Sequence, residues 1–261
     1  MTRVLTVANQ KGGVGKTTTT VNVAAALAQR GLRVVVIDLD PQGNASTALG
    51  IAHDDDVPGT YEVLIGEARI ADVLQPCPDV AGLFGLPATI NLAGAEIEIV
   101  GTAGREFLLS RAVEDFIAVD PVDYVFIDCP PALGLLTLNA LVAAREVFLP
   151  IQCEYYALEG LSQLLRTIAM VRESLNPGLD VSAIVLTMYD GRTRLASQVL
   201  EEVRSHFGDK VLETVIPRSV RVCEAPSYAQ TVMTYDPSSP GALCYREAAD
   251  QLHARAAGVP A

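Results

Sequence analysis

A run of nine residues near the start of the chain, QKGGVGKTT at positions 10–18, has the residue types that bind phosphate. Closely spaced glycines let backbone N–H groups curl around an anion, and the N-terminus of a following helix adds a favourable dipole. Lys16 is placed to reach the β- and γ-phosphates of a nucleotide, and the hydroxyl of Thr17 to hold Mg²⁺. We therefore predict a phosphate-binding loop with nucleotide contacts from Gly12, Gly13, Val14, Gly15, Lys16, Thr17 and Thr18.

This loop departs from the usual phosphate-loop pattern. The pattern G-x-x-x-x-G-K-[ST] requires glycine at position 10, where this chain has Gln10. A second lysine, Lys11, stands just inside the loop instead. The sequence thus supplies two cations, rather than one, close to the predicted phosphates.

Three aspartates follow apolar runs that read as strands. Asp38 and Asp40 follow residues 33–37, and Asp128 follows residues 124–127. Carboxylates at strand ends beside a phosphate loop suit Mg²⁺ binding and the positioning of a water for in-line attack on a γ-phosphate. For Asp38 and Asp40 an alternative is that they only cap a turn before a helix.

Strand-like and helical patterns alternate along the chain. The apolar runs are residues 4–8, 33–37, 82–86, 124–127, 146–151 and 182–186. The helical patterns are residues 17–30, 105–118, 134–144, 157–175, 194–206 and 239–256. Near-continuous apolar runs are typical of parallel strands covered on both faces. We predict an α/β fold, a doubly wound and mostly parallel sheet with helices on both faces, in a single domain spanning residues 1–261 with ligands at the carboxyl ends of the strands.

Composition indicates a cytoplasmic protein. The chain has 261 residues, and no uncharged apolar stretch is long enough for a transmembrane helix. The N-terminus runs directly into the first strand-like run, so we expect no signal peptide. The five cysteines are scattered without C-x-x-C spacing, as in a reduced protein. The net charge of −12 argues mildly against nucleic-acid binding, although a local basic patch can act on an acidic body.

The motifs resemble those of the deviant Walker A ATPases, the group that includes ParA, MinD, the nitrogenase iron protein and the arsenite pump ATPase. Residues 38–45 resemble the switch I element of ParA, and residues 128–134 resemble the family's switch II segment. The segments that narrow the resemblance to the chromosomal ParA, or Soj, branch are residues 92–96, 152–161, 187–193 and 216–221. The resemblance implies binding of ATP and Mg²⁺, weak basal ATP hydrolysis and an ATP-sandwich homodimer. It also implies that adenine packs against main chain near Met188 and Pro217.

The resemblance assigns roles to the charged residues of the loop and the strand ends. Lys11 reaches across the dimer to the phosphates held by the other subunit. Asp40 orients the attacking water, and Asp38 supports the loop and the metal shell. The implied Mg²⁺ site consists of Thr17, Asp38 and Asp128.

In Soj-like proteins an arginine patch completed across the dimer holds double-stranded DNA without reading its sequence, and a ParB-type protein triggers hydrolysis and release. The resemblance implies a nucleoid-associated protein with a DNA patch at Arg192 and Arg221, which Arg218 and Arg194 could extend. Many relatives have a glycine–lysine pair where this chain has Ala229 and Gln230, which favours weaker or more salt-sensitive DNA binding.

Two other kinds of function stay open on the sequence alone. A ParA-like ATPase that positions another cargo would share the chemistry and differ only in its partner. A MinD-like ATPase needs a C-terminal amphipathic helix with a basic face, whereas residues 245–261 hold alanines, acids and one leucine. We therefore expect no membrane binding by this tail. A metabolic kinase or synthetase would need a second-substrate constellation, which the sequence does not present.

Overall fold

A computed structural model describes residues 2–154 and 157–256, without the side chains of residues 157–160 and 256. Within these residues eight strands form one sheet in the order β3-β4-β2-β5-β1-β6-β7-β8. Every neighbouring pair is parallel except β3 with β4. The strands are β1 Arg3–Val7, β2 Val34–Asp38, β3 Gln75–Pro76, β4 Leu83–Leu86, β5 Tyr124–Asp128, β6 Glu146–Gln152, β7 Asp180–Tyr189 and β8 Val211–Pro217.

Helices cover both faces of the sheet. They are α1 Lys16–Ala28, α2 Asn44–Leu49, α3 Thr60–Ile65, α4 Ile70–Val73, α5 Leu92–Ile99, α6 Leu108–Val119, α7 Leu135–Ala143, α8 Ala157–Ser174, α9 Arg194–Phe207, α10 Val220–Glu224, α11 Val232–Tyr235 and α12 Pro240–Ala256. Successive side chains of a strand point to opposite faces. Along β5, Val125 and Ile127 accordingly join one core with α3 to α9, and Tyr124 and Phe126 join the other with α1, α2, α11 and α12. The predicted doubly wound fold is confirmed.

The sheet places the carboxyl ends of its central strands side by side. In the parallel register Val7 of β1 is level with Asp128 of β5, and Asp128 is level with Asp38 of β2. The loop after β1 therefore lies beside two carboxylates from strands far apart in the sequence.

Two strands were not expected from the sequence. β8 is an outer strand whose Glu213 is exposed, so its sequence VLETVIP lacks the unbroken apolar run of a strand covered on both faces. β3 has only two residues and pairs antiparallel with β4. The remaining predicted strands and the longer helices are present, and their ends shift by at most three residues.

The last helix, α12, lies against the sheet and α1. Its residues Ala242, Tyr245, Ala248, Ala249 and Leu252 are buried in the core shared with α1. The helix agrees with the helical pattern predicted over residues 239–256, and residues 257–261 lie outside the described residues. Among the described helices, none is long and apolar enough to cross a membrane.

Candidate nucleotide-binding site

The glycine-rich loop connects β1 to α1 and leaves open space along its glycines. Gly13 and Gly15 have φ angles of 75° and 86°, in the left-handed region that favours glycine. A Cβ added at Gly12 or Gly13 would meet no atom within 4 Å. The loop is therefore a cradle whose inner surface is free to approach a ligand closely.

Lys16, the first residue of α1, is a buried cation at the base of this cradle. Only 7% of the residue is exposed, and its Nζ donates to the backbone oxygen of Lys11 at 3.3 Å. Burial lowers the pKa of Lys16, and the nearby carboxylates of Asp128 and Asp40 oppose that shift. An ammonium group held this way is stabilised when an anion occupies the cradle.

Asp128 joins the loop to β5. Its Oδ2 accepts a hydrogen bond from Thr17 Oγ1 at 2.6 Å, and its Oδ1 accepts one from Thr20 Oγ1 at 2.8 Å. Burial raises the pKa of Asp128 to about 6, against the hydrogen bonds from Thr17 and Thr20 and the charge of Lys16. A hydroxyl and a carboxylate in contact, in a site where ionisation is costly, fit a divalent cation such as Mg²⁺.

Asp38 is completely buried, and both of its carboxylate oxygens accept hydrogen bonds. Oδ2 accepts from the backbone N–H and the hydroxyl of Ser46, at 2.8 and 2.7 Å, and Oδ1 accepts from the backbone N–H of Asp40 at 3.2 Å. Burial raises the pKa of Asp38 to about 7, and the nearby charge of Asp128 adds to that shift. Asp38 thus holds the start of α2 and the loop that carries Asp40, beside the proposed cation site rather than open to it.

Asp40 lines a cavity of about 450 Å³ in front of the glycine-rich loop. Its Oδ1 accepts a hydrogen bond from the backbone N–H of Gln42 at 3.0 Å. Among the described residues, no donor bonds to its Oδ2. Oδ1 of Asp40 therefore caps the turn, and Oδ2 of the same side chain is available to accept a hydrogen bond from a ligand or water. The other walls of the cavity include Gly12, Lys16, Thr17, Thr47 and Pro131.

A second cavity, of about 560 Å³, adjoins the first through Gly15, Thr18 and Met188. Met188 and Pro217, the two positions expected near adenine, both line it. Met188, the next-to-last residue of β7, has a φ angle of 52°, which is uncommon for a residue with a Cβ. Mostly apolar walls of this size suit a flat base.

Other walls of the second cavity were not expected from the sequence. They come from Val220 and Cys223 near the end of β8 and from Tyr245 of α12. Only the fold joins these segments to the loop. Val14 is buried, and its backbone oxygen accepts a hydrogen bond from Thr187 Oγ1 at 2.8 Å. Because the Val14 side chain is buried, this position can contact a nucleotide only through its main chain.

Lys11 lies at the rim of the site and is paired with Glu154, to which the sequence analysis assigned no role. Its Nζ is 2.6 Å from Oε2 of Glu154, and the side chains of Lys11 and Glu154 are 39% and 41% exposed. An exposed pair of this kind is weak. Lys11 is therefore held next to the loop by a contact that opens readily. In the 152–161 segment quoted above, residues 155 and 156 lie outside the described residues.

The four arginines of the expected DNA patch come from the ends of the neighbouring strands β7 and β8. Tyr189 is level with Pro217, so the segments carrying Arg192 and Arg194 and those carrying Arg218 and Arg221 leave the sheet at the same edge. Their convergence as a DNA surface stays a prediction.

Two of these arginines already have carboxylate partners. Arg192 makes a two-bonded contact with Asp190, at 2.8 Å from Nε and 2.7 Å from Nη2, which lowers the pKa of Asp190 to about 2. Arg221 lies 3.2 Å from Glu224 and 3.4 Å from Asp236. These carboxylates reduce the positive charge of the edge.

A buried lysine and a threonine–aspartate pair facing an open glycine cradle, on a doubly wound parallel sheet, are the marks of the P-loop nucleoside triphosphatases. A family model described as "AAA domain" matches residues 2–181. The chain is 51% identical to the sporulation initiation inhibitor protein Soj of Bacillus subtilis, over 97% of this chain and 99% of that protein. It is 52% identical to the chromosome partitioning protein ParA of Caulobacter vibrioides, over 97% of this chain and 94% of that protein.

A solved structure extends the comparison. Cobyrinic acid a,c-diamide synthase from Mycobacterium smegmatis with a bound ATP analogue and magnesium has a TM-score of 0.85 and 42% identity, covering 99% of this chain and 97% of that one. The chain belongs to the ParA/Soj family of chromosome-partitioning ATPases. The family resemblance drawn from the sequence motifs is thereby confirmed.

Proposed function

We propose that this protein is a ParA/Soj-type partitioning ATPase, a single ATPase domain that binds ATP with Mg²⁺ and hydrolyses it slowly. The observation that carries the proposal is the convergence of Lys16, Thr17 and Asp40 on one cavity beside an open glycine cradle, with Asp128 hydrogen-bonded to Thr17. The Mycobacterium smegmatis structure, which contains an ATP analogue and magnesium, supports the same ligands here.

Each residue has a distinct task in the proposed reaction. Backbone N–H groups of residues 12–18 and the ammonium of Lys16 hold the phosphates. Thr17 and Asp128 hold Mg²⁺, which neutralises charge on the phosphate oxygens when it is bound. Asp40 accepts a hydrogen bond from the attacking water, and Asp38 keeps Asp40 in place through the 3.2 Å contact with its backbone N–H. Met188 and Pro217 contact the adenine.

ATP binding is proposed to join two copies face to face, with Lys11 of each copy reaching the phosphates of the other. Lys11 is suited to this task because it lies at the rim and its contact with Glu154 is exposed and weak. In the dimer Lys11 would exchange this partner for phosphate oxygens that carry more charge.

Replacing Lys11 with alanine should therefore abolish ATP-dependent dimerisation while ATP binding to the monomer persists. Sedimentation with ATP and Mg²⁺, in an Asp40→Ala background that keeps ATP intact, measures the dimer. The matched control is Lys210→Ala, because Lys210 is also a half-exposed lysine in an ion pair, 2.7 Å from Asp180. An ATP-dependent dimer formed by the Lys11 variant would contradict a role in trans.

The dimer is proposed to bind double-stranded DNA without sequence preference through Arg192 and Arg221, with Arg218 and Arg194 beside them. A ParB-type partner would trigger hydrolysis and release, so that cytoplasmic molecules cycle on and off the nucleoid. Each half-patch is weakened by its own carboxylates, and dimerisation would join the two halves into a surface strong enough to hold phosphates.

Binding to a random-sequence duplex should consequently require ATP and fall steeply with salt, with a log–log slope of about −4 to −5 for four to six phosphate contacts. Fluorescence anisotropy with the Asp40→Ala protein, in ATP, ADP or no nucleotide, measures this. Arg192→Glu or Arg221→Glu should remove binding. The control is Arg69→Glu, because Arg69 is also highly exposed, at 83%, and paired with a nearby aspartate. DNA affinity that is the same with ATP, with ADP and without nucleotide would refute the DNA switch. So would DNA binding that is retained by both the Arg192→Glu and the Arg221→Glu variant.

Two alternative functions use the same ATP-dependent chemistry but act on a different partner or surface in place of DNA. A cargo-positioning ParA-like ATPase would dimerise with ATP, but a different partner protein would stimulate its ATP hydrolysis. A MinD-like ATPase would bind a membrane. The absence of DNA binding in every nucleotide state of an otherwise active ATPase would favour one of these two.

A further inference from the structure

The segment that follows Asp128 is fastened at both ends. This segment, residues 128–134, is named the Asp128 loop here, and it brings Pro131 to the wall of the phosphate cavity. At its start the backbone N–H of Cys129 donates to Val7 O at 3.3 Å, and Cys129 Sγ contacts Thr6 Oγ1 at 3.0 Å. Its other end enters α7 at Leu135. The position of the loop therefore depends on what holds the start of α7.

Glu96 of α5 holds the start of α7. Its Oε1 accepts a hydrogen bond from the backbone N–H of Leu136 at 3.1 Å, and Leu136 is buried. The first N–H groups of a helix have no partner within the helix, and a carboxylate beside them is stabilised by the helix dipole. Glu96 thus supplies from another helix the contact that a capping side chain of α7 would otherwise make.

Gly134 makes room for this contact. A Cβ at position 134 would clash with Glu96 Oε1, because it would lie closer than non-bonded atoms approach. The backbone of Gly134, with φ −95° and ψ −169°, is extended and open to any residue. A side chain at position 134 would therefore require the Glu96 carboxylate to move aside, whereas the backbone conformation itself would not oppose it.

The same helix is tied to the other side of the site. Tyr61 of α3 donates to the carboxylate of Glu98 on α5, with both oxygens at 3.0 Å. Thr60, at the start of α3, donates to the backbone oxygen of Asp38 at 2.7 Å. α5 consequently links the end of β2, which carries Asp38 and Asp40, to the far end of the Asp128 loop.

We propose that Glu96 is a positioning residue for ATP hydrolysis, which holds the Asp128 loop in line with Asp40 through its contact with the start of α7. This inference rests on the proposed ATPase activity. Glu96 contacts none of the loop residues that hold phosphate, so it acts on the hydrolytic step and leaves nucleotide binding to the cradle.

Glu96→Ala should lower kcat about tenfold or more while the KM for ATP changes less than about twofold, because small displacements of positioned groups reduce rates steeply. Glu96→Gln keeps an oxygen that accepts from Leu136 and should restore most of the rate. Phosphate release gives kcat, titration with a fluorescent ATP analogue gives affinity, and the melting temperature reports folding. A purely structural role would change melting and affinity together with kcat.

A second pair of variants isolates the close contact. Gly134→Ala should lower kcat because the new methyl group displaces the Glu96 carboxylate. In Glu96→Ala that methyl group has room, so the double variant should match Glu96→Ala alone, a non-additive result expected of residues in contact. Gly94→Ala is the matched control, because a Cβ at that α5 position meets nothing within 4 Å.

The outcomes separate this inference from the proposed function. No hydrolysis of Mg-ATP by the unmodified protein would refute the ATPase itself. An active protein in which Glu96→Ala and Gly134→Ala keep full kcat, or in which their effects simply add, would overturn the role of Glu96. Should Glu96→Ala fail to fold, Glu96→Gln and Gly134→Ala with the Gly94→Ala control still decide it.

Discussion

Replacing Lys16 with alanine should weaken ATP binding by at least about 30-fold, because losing one partner of a desolvated charge pair costs about 2 to 5 kcal/mol. The buried ammonium of Lys16 lies at the base of the glycine cradle, and burial already lowers its pKa. An alanine side chain carries no charge, so it cannot make the favourable interaction that the Lys16 ammonium makes with the phosphates. Calorimetric titration with Mg-ATP measures the loss.

The same substitution separates binding from folding. An ammonium group without an anion is costly to bury, so the nucleotide-free Lys16→Ala protein should melt no lower than the unmodified one. Lys210→Ala, which removes an exposed lysine far along the chain, should bind ATP normally. ATP affinity retained by Lys16→Ala would remove the phosphate-loop assignment.

The second large effect is expected at Asp40. Asp40→Ala should bind ATP and dimerise but hydrolyse ATP about 100- to 1,000-fold more slowly, the range for losing a group that orients and polarises the attacking water. The Oδ2 atom without a donor and the place of Asp40 on the cavity wall support this role. Single-turnover hydrolysis measures the chemical step without product release.

Asp40→Asn decides between water positioning and turn capping. An asparagine keeps an oxygen to accept from the Gln42 N–H, the 3.0 Å contact of Oδ1, but carries no charge. If Asp40 positions water, the asparagine and alanine variants should both lose turnover. Near-normal hydrolysis by Asp40→Asn alongside a slow Asp40→Ala would leave only the capping role.

The core of the site was predictable because its signals are local. The glycine spacing around Lys16 and the apolar strand before Asp128 are each encoded within a few residues, and parallel strand order brings their ends together. The fold class followed from the same runs. β8 was missed because an outer strand with exposed Glu213 does not carry the apolar pattern of an inner one.

Contacts between distant segments were not predictable. Nothing near Lys11 indicates Glu154, which is 143 positions away, and nothing near the loop indicates Tyr245 as a wall of the second cavity. Glu96 appeared only within a motif, without a role. Such contacts depend on how helices pack on the sheet, which the period of apolar residues does not encode.

Asp38 and Asp128 are register partners on the adjacent parallel strands β2 and β5, so the positions of both carboxylates depend on the centre of the sheet. A slip of one position between β2 and β5 would turn either carboxylate to the opposite face. Because both strands are fully buried, such a slip requires opening the cores on both sides. The carboxylate geometry therefore survives local fraying and is lost only in cooperative unfolding.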